Sequence, residues 1–534
     1  MTTIIHRYIF RDLIRSFLLA TGALTLILSL GSIVGPAQDY GVSPEQALEL
    51  IWCFIPVTLA FVLPVGAVFA AATTYGRFAS ENEFDACRAG GISTVSMLYP
   101  VLCLGIIASI LNITLNFYVV PRYIQKAEVS VKANIKQIVF RSIEKRGIYQ
   151  ISDSSSKTYI TADVVDEQND TLGGVNIIRV ADGVVKSLIT TSRAKVDFEQ
   201  TGGENLISIT AYDLYQADES GYAYSAKLPL RTKVVSLISD NIRFKELAGL
   251  KAIMANPMLF EPVAKVADEL TAQIATEILA GQIAGANDED KWFALQGVSS
   301  SDQGGKVLIK AGNCKAESRF EVVASDVQLL EFDRADQATP TNSWRAPTAT
   351  LYCTSEQPGG YWNIAMTDCV NSADEAATVL PSRAIRNLLA PPTIKSIYDS
   401  TDKLAAARSL MQGSPSDTVS ALQEQLNKAI LRTNGSVAVE VNYRLVFGLG
   451  CAIIAITGAL IGVILKNSHI MTSFGISVLP LAVLIVFIMM GKNLTKNIIV
   501  HQMKDGIAGI YIIWTGLLVI AVIMFAFYRR LVRT

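Results

Sequence analysis

Six stretches of the chain contain no Asp, Glu, Lys or Arg, and each is 19 to 30 residues long. A helix of about 20 apolar residues crosses the hydrocarbon core of a bilayer, so each stretch is long enough to span a membrane. Only 17% of the residues are charged, against roughly 25% in soluble domains, which agrees with a membrane protein. The sequence therefore predicts six transmembrane helices in two sets of three. The stretches are Ser16–Val34, Leu50–Gly76, Ile92–Pro121, Leu445–Leu465, Ile470–Gly491 and Gly506–Tyr528.

The segment between the two sets contains short β-branched runs separated by turn residues, a pattern typical of strands. The alternation of apolar and polar residues in Leu206–Tyr212 predicts a strand with one buried face, and the spacing of the runs suits a sandwich or jelly roll. We predict strands at Tyr159–Val165, Val175–Val180, Lys195–Phe198, Leu206–Leu214, Lys306–Lys310, Arg319–Val323, Val327–Phe332 and Ala349–Cys353. We predict helices at Phe244–Met254, Glu261–Ile283, Leu380–Leu389 and Ser416–Arg432.

The predicted architecture is an integral membrane α-helical protein with a large, mainly β, jelly-roll-like domain inserted between helices three and four. The sequence leaves open whether its second β-rich stretch repeats the first. The predicted parts are helices one to three (1–121) with a short connecting helix (80–91), a β domain (122–256), an additional α/β insertion (257–379), a helical return segment (380–442) and helices four to six (443–534).

The Lys and Arg residues of the short connections predict the orientation, because these side chains resist translocation. Nine of them fall on the side of the chain termini: Arg7, Arg11, Arg15, Arg77, Arg88, Lys466, Arg529, Arg530 and Arg533. Three fall on the other side: Lys492, Lys496 and Lys504. We therefore expect both termini in the cytoplasm and the large middle segment across the membrane, in the periplasm of a bacterium.

The residue types in the middle segment weigh against an enzyme. The three histidines, His6, His469 and His501, all lie outside it, so it offers neither a Ser-His-Asp triad nor a His-ligated metal site of its own. The chain has no G-x-x-x-x-G-K-[ST] phosphate loop, so we expect no ATP hydrolysis by this chain alone. The net charge is −1 with no large basic region, which argues against nucleic acid as a partner.

Two cysteines of the middle segment flank a predicted hairpin around Pro358–Gly360. An oxidising compartment would allow a disulfide between Cys353 and Cys369. The alternative is that all of the exported cysteines are free thiols, and the sequence leaves both possibilities open.

The connection between helices two and three carries the most informative short pattern. Ser80 is placed to cap a helix whose first turn contains Glu81 and Glu83, and Gly90-Gly91 is placed to end it. On such a helix Phe84 would share a face with Cys87, next to Arg88, and form an apolar contact flanked by charge. The alternative is a solvated connector with no partner.

This segment resembles the cytoplasmic coupling-helix motif of the lipopolysaccharide-export permease family, G-R-x-x-x-E-x-E-x-x-x-x-R-A-x-G-I-S. The chain matches it from Gly76 to Ser93. The opening run Arg7–Asp12 resembles the R-Y-x-x-R-[ED] signature of that family, and Val441–Arg444 resembles its re-entry segment before helix four. The resemblance covers roughly residues 1–245 and 380–534.

The resemblance implies a permease subunit in the inner membrane of a bacterium, which pairs with a homologous or identical permease and with two copies of a cytoplasmic ABC ATPase. ATP and Mg²⁺ would bind to the ATPase, and this chain would need no cofactor. The pair would extract lipopolysaccharide or a related glycolipid and pass it through the jelly roll to periplasmic bridge proteins. The residues that would couple to the ATPase are Arg77, Glu81, Glu83, Phe84 and Arg88.

The chain departs from that family in two ways. The segment Pro257–Cys369 exceeds what a single jelly roll needs, and the outer end of helix one, Leu30–Asp39, lacks the basic residues that contact lipid phosphates in the family. Lys492, Lys496 and Lys504 are candidates for this contact because ammonium groups attract phosphates, and the alternative is interfacial snorkelling.

Two other functions stay open at this stage. The first is an ABC-type permease that exports another lipid or transmits force to a periplasmic enzyme, which would fit both departures. The second is a membrane protein that transports nothing and binds a partner through its exported domain. It would tolerate charge reversal at Glu81 and Glu83 and form no stable ATPase complex.

Overall fold

The computed structural model places two compact units, one formed by Met1–Lys251 with Gly435–Thr534 and the other by Ala252–Asn434. We call them the first and the second unit. The residues that the structure describes are 2–40, 44–133, 135–152, 156–166, 169–181, 184–201, 204–218, 221–233, 241–288, 291–297, 305–318, 320–333, 337, 339–353, 359–371, 379–411, 414–466, 470–497 and 508–533.

The first unit begins with helices that contain the first three apolar stretches. They are α1 (Thr2–Tyr40), α2 (Pro44–Ser80), α3 (Glu83–Ala89), α4 (Thr94–Thr114), a π-helical turn (Leu115–Val119), α5 (Val120–Ala133) and α6 (Ile135–Arg146). The segments long and apolar enough to cross a membrane are Ile4–Ser32, Ile51–Ser80 and Thr94–Ala127. Helix α2 continues through Pro56 and Pro64, which membrane helices tolerate because neighbouring groups satisfy the freed carbonyls.

A seven-stranded antiparallel sheet, the first sheet, follows α6. Its strands are β1 (Tyr149–Ser152), β2 (Ser156–Thr161), β3 (Val164–Asp166), β4 (Thr171–Ala181), β5 (Val184–Thr201), β6 (Glu204–Asp218) and β7 (Gly221–Lys233). The order is β1-β2-β4-β5-β6-β7, and β3 pairs with β4. In the described residues this is a meander, which corrects the predicted jelly roll, because a jelly roll requires Greek-key crossovers between strands.

The second unit contains a second seven-stranded antiparallel sheet. Helix α7 (Leu247–Ala255) leads into it, and α8 (Glu261–Asp288), α9 (Pro392–Asp399) and α10 (Lys403–Leu410) belong to it. Its strands are β8 (Phe293–Gln296), β9 (Lys306–Lys310), β10 (Asn313–Ser318), β11 (Glu321–Phe332), β12 (Asn342–Cys353), β13 (Tyr361–Asn371) and β14 (Val379–Leu389). The order is β14-β13-β12-β11-β9-β8, and β10 pairs with β11.

Two predictions for this unit are wrong. Leu380–Leu389 is part of strand β14 rather than a helix. A β-bulge brings both Ile385 and Leu388 to the buried face, three residues apart, and this spacing imitates a helix. The predicted return segment 380–442 is therefore helical only from α9 onwards.

The predicted disulfide is also not formed. Strands β12 and β13 make the predicted hairpin, but Cys353 lies opposite Trp362, whereas Cys369 lies two residues beyond Thr367, the partner of Thr348. The two cysteines are thus near opposite ends of the strand pair, about 20 Å apart at the rise of a strand. A disulfide requires Cα atoms within about 7 Å.

Three helices complete the chain: α11 (Asp417–Ile464), α12 (Ile470–Asn497) and α13 (Ala508–Arg533). Each is long and apolar enough to cross a membrane, so the prediction of six such helices is confirmed. Helix α11 is central in the membrane part of the first unit, where Gly458 and Gly462 let it approach the backbone of α2 at Val68 and Ala72. Small residues at this spacing are typical of close helix contacts in membranes.

Candidate functional site

Helix α3 forms the connection between α2 and α4, and it is shorter than predicted. It begins at Glu83, after Asn82 with φ of 58°, and Asn82 makes no side-chain capping hydrogen bond. The Ser80 hydroxyl donates to the Arg77 carbonyl instead, so the predicted Ser80 cap is wrong. The helix does carry acidic residues in its first turn and Arg88 in its last, which suits the helix dipole.

The end of α3 explains the glycine of its motif. The amide of Ile92 donates to the Cys87 carbonyl and the amide of Gly91 to the Arg88 carbonyl, the two bonds of a Schellman motif. Gly91 has φ of +82°, a conformation that side-chain-bearing residues rarely adopt. Two residues later, the Ser93 side chain accepts a hydrogen bond from the amide of Ser96 and caps α4. The sequence Gly-Ile-Ser therefore turns the chain sharply from α3 into α4.

Phe84 anchors α3 to its own chain. The ring is 1% exposed and meets Phe78 of α2 edge-on, with 6.2 Å between the ring centroids. This corrects the predicted apolar contact for a partner, because Phe84 is already covered. Burial raises the pKa of the neighbouring Cys87 thiol, and the Glu83 carboxylate raises it further, so this thiol stays protonated at neutral pH.

Ion pairs tie the α3 region to other helices. Arg77 at the end of α2 donates to Asp12 of α1 at 2.8 Å, and Glu83 lines a small cavity with both residues. Asp85 of α3 pairs with Lys466, just after α11, at 2.8 Å. Glu81 and Asp85 are exposed, and Glu83 is half-buried. This surface presents acidic groups in a fixed position relative to three membrane helices.

A second cluster lies near the start of the apolar part of α11 and is buried. One carboxylate oxygen of Glu440, on α11, accepts a hydrogen bond from the Arg444 Nε at 3.3 Å. The other accepts one from the Lys492 Nζ of α12 at 2.9 Å. Arg444 and Glu440 have side chains only 2% and 7% exposed. The Lys492 ammonium also lies 3.5 Å from the centre of the Tyr443 ring, a cation–π contact. We call Glu440, Arg444 and Lys492 the Glu440 cluster.

Arg444 also holds the segment that follows the first sheet. One of its Nη atoms donates to the carbonyls of Arg243 and Lys245 at 2.9 and 3.0 Å. The other, Nη1, is buried and has no hydrogen-bond partner among the described residues. The cluster contains two cations and one anion, so it carries one excess positive charge in a shielded position.

Among the predicted headgroup residues, the structure places Lys492 in this cluster, whereas Lys504 and the side chain of Lys496 lie outside the described residues. Sequence reasoning missed Glu440, although an acid at the edge of an apolar helix is a signal for a functional or paired site. In the described part of the chain, no group of three or more His, Cys, Asp or Glu residues could hold a metal ion.

A family model, the lipopolysaccharide export system permease LptF/LptG, matches residues 7–530. No curated protein matches the chain.

Proposed function

This chain belongs to the LptF/LptG family of lipopolysaccharide export permeases, and we propose that it extracts lipopolysaccharide or a related glycolipid from the inner membrane as one permease subunit of an ABC transporter. The observation that carries the proposal is the match over residues 7–530, essentially the whole chain. The chain is a multi-pass membrane protein, and ATP hydrolysis takes place in a separate ATPase dimer. The termini and α3 face the cytoplasm, and both sheets face the periplasm.

The ATPase binds at α3. Glu83 and Asp85 lie in the first turn of this helix and Glu81 lies just before it; Glu81 and Asp85 are exposed, so a basic residue of the ATPase finds three acids close together in the chain. The buried Phe84 and the Asp85–Lys466 pair hold α3 against α2 and the end of α11, and the Arg77–Asp12 pair joins α2 to α1. A push on α3 is therefore transmitted to α1, α2 and α11.

The test is Glu83→Ala in the complete transporter, reconstituted in proteoliposomes. We expect lipid release per ATP to fall at least about tenfold, because a close interfacial charge pair contributes at least about 1.5 kcal/mol. Glu317→Ala, at an exposed acid of β10 in the second unit, is the matched control and should leave release unchanged. Unchanged lipid release in Glu83→Ala, with the protein inserted normally, would contradict the assignment of Glu83 to the ATPase contact.

The lipid binds between this chain and the second permease subunit, which is homologous or identical. Several large apolar side chains of α1 and α12 are exposed, as expected of surfaces that meet lipid or another subunit: Leu26, Ile27, Leu30, Leu479, Val486 and Met489. The Glu440 cluster supplies the headgroup contact, because its excess positive charge and the partly exposed Lys492 favour a phosphate.

The first sheet then receives the acyl chains and passes the lipid to periplasmic bridge proteins. Exposing an acyl chain to water costs about 0.8 kcal/mol per methylene, so several chains cannot cross an aqueous compartment uncovered. A sheet with one apolar face provides such a cover, and the first sheet contributes an apolar cluster of buried side chains: Ile160, Leu172, Val175, Ile177, Ala194 and Val196.

A second candidate function is export of a different lipid, or transmission of force to a periplasmic enzyme, by the same machinery. The second unit favours it, since it adds a complete sheet to the chain. Purification of the tagged chain from its native membrane, with mass spectrometry of proteins and lipids, distinguishes the cases. A lipopolysaccharide-type glycolipid with an ATPase supports the first proposal, another lipid with an ATPase supports the second, and the absence of any ATPase contradicts both.

A further inference from the structure

The two sheets have the same topology. In each, the strands follow one another as a meander, and only the third strand leaves the path and pairs with the fourth. In each, the third strand pairs with the first half of the fourth and the second strand with its second half. A helix precedes each sheet and packs against its first and third strands, α6 in the first sheet and α8 in the second.

The registers of the two sheets also agree residue by residue. If Ile177 of β4 is matched with Leu329 of β11, their partners on the second strand are Ile160 and Ile309, and all four are buried. Continuing through the fifth and sixth strands matches Ala194 with Ala349, Val196 with Leu351, Ala211 with Met366 and Leu214 with Cys369. All of these side chains are buried as well.

The irregular positions coincide too. The sixth strands carry Asp213 and Asp368 at matched positions, with φ of 52° and 49°. The fourth strands carry Gly174 and Asp326 at matched positions, with φ of 61° and 52°. Positive φ inside a strand is rare, and two matched pairs in unrelated sheets would be a strong coincidence.

Gly174 and Asp326 each face a residue on the neighbouring segment, and the two sheets carry glycine and aspartate in opposite order at these two facing positions. In the first sheet Asp163 faces Gly174, and a Cβ on Gly174 would lie 2.2 Å from the Asp163 carboxylate. In the second sheet Gly312 takes the place of Asp163, and a Cβ on it would lie 3.3 Å from the Asp326 side chain. The amides of Asp163 and Gly312 make equivalent hydrogen bonds, to the carbonyls of Gly173 and Ser325. Each pair thus contains one glycine and one aspartate, on opposite strands.

From these agreements we infer that the second sheet is an internal structural copy of the first, and that lipid enters only the first. The second sheet is closed: Gly297, directly after β8, bridges to Leu388 of β14, so its two edges meet. Its interior is also filled, because Trp362, Ile364 and Met366 are at most 1% exposed.

The first sheet differs at the same positions. It has Ala211 where the second sheet has Met366, and half-buried Ile189 where the second has buried Trp344. A lipid needs a lateral opening through which its headgroup stays in water and an interior with room for its acyl chains, and the second sheet, with joined edges and a filled interior, offers neither.

This inference rests on the proposed function, and its test compares matched positions in the full chain. The photoreactive residue p-benzoylphenylalanine replaces Ile189 in one variant and Trp344 in the other, in the complete transporter with lipopolysaccharide and ATP. We expect a lipid crosslink at position 189 and at least tenfold less at 344. Crosslinks of similar yield at both positions, or only at 344, would overturn the inference and leave lipid export intact.

Crosslinks at neither position would overturn the inference together with the proposed lipid path through the first sheet. A measurement without substitutions guards against misfolded variants: hydrogen–deuterium exchange of the unmodified transporter with and without lipopolysaccharide. We expect added protection of amides in the first sheet and no change in β8 to β14. Added protection in β8 to β14 would contradict the inference.

Discussion

The two ends of the membrane helices both contain ion pairs at similar distances, but these pairs differ in burial. The Arg444–Glu440 pair has side chains 2% and 7% exposed, whereas those of the Lys466–Asp85 pair near α3 are 40% and 48% exposed. A buried charge that loses its partner pays the full desolvation cost, while an exposed charge regains water. The Glu440 cluster is therefore suited to fixing the chain, and the α3 pairs are suited to exchanging partners.

The strongest test of this comparison removes the only anion of the Glu440 cluster. In Glu440→Gln, Arg444 and Lys492 keep their charges without a counter-charge, so we expect a loss of about 3–5 kcal/mol in the free energy of unfolding. Thermal unfolding of the purified chain in detergent measures this loss of stability. Glu424→Gln, which breaks the exposed Glu424–Lys428 pair, is the control, with an expected loss below about 1 kcal/mol. Equal losses in the two variants would contradict the contrast in burial.

A smaller effect is expected from Arg444→Lys, which keeps the charge but changes the donor geometry. Lysine lacks the planar fork that reaches Glu440 and the carbonyls of Arg243 and Lys245 together, so we expect a loss of about 1.5–3 kcal/mol. Limited proteolysis of the segment 242–246 should accelerate in this variant. Arg243→Lys is the control, because only the backbone carbonyl of Arg243 accepts the bond. Full protection of the segment in Arg444→Lys would show that the carbonyl bonds do not hold it.

The sequence predicted the elements that follow from long or regular patterns. The six apolar helices, strand β9 and helix α8 came from hydropathy and periodicity, and the end of α3 came from Gly90-Gly91. The start of α3 and strand β14 could not be predicted, because a left-handed Asn82 and a β-bulge are set by tertiary contacts. The Glu440 cluster joins Lys492 to Glu440 and Arg444, and Arg444 binds the carbonyl of Arg243, contacts that no local pattern connects. The repeat of the sheets is visible in register rather than in residue identity.

In the α3 region, the backbone turn at Gly91 should contribute more to the free energy of unfolding than any single exposed ion pair does. Gly91→Ala places a side chain at φ of +82°, which costs about 1–2 kcal/mol and tilts α3 relative to α4. We expect a lower Tm and weaker stimulation of ATP hydrolysis by lipid. Gly90→Ala is the control, because Gly90 has φ of −77° and an added Cβ would meet its neighbours at an ordinary 3.5 Å. Equal effects of the two substitutions would mean that the Gly91 conformation is not what positions α3.

The smallest effect on stability is expected from Asp12→Asn, which breaks the Arg77–Asp12 pair. Exposed pairs contribute about 0–1 kcal/mol and are weakened by salt, so the unfolding free energy should change by less than about 1 kcal/mol and the change should shrink between low and high salt. Arg77 and Glu83 line the same small cavity as Asp12, so a freed Arg77 guanidinium can turn to Glu83 and occupy the acid that we assign to the ATPase. Lipid release should then fall although the free energy of unfolding hardly changes. The double variant Asp12→Asn with Arg77→Gln should recover part of the lost lipid release. A loss of stability as large as that of Glu440→Gln, with coupling unchanged, would reverse the roles assigned to the two ends, because the exposed pair would then fix the fold and leave the ATPase contact untouched.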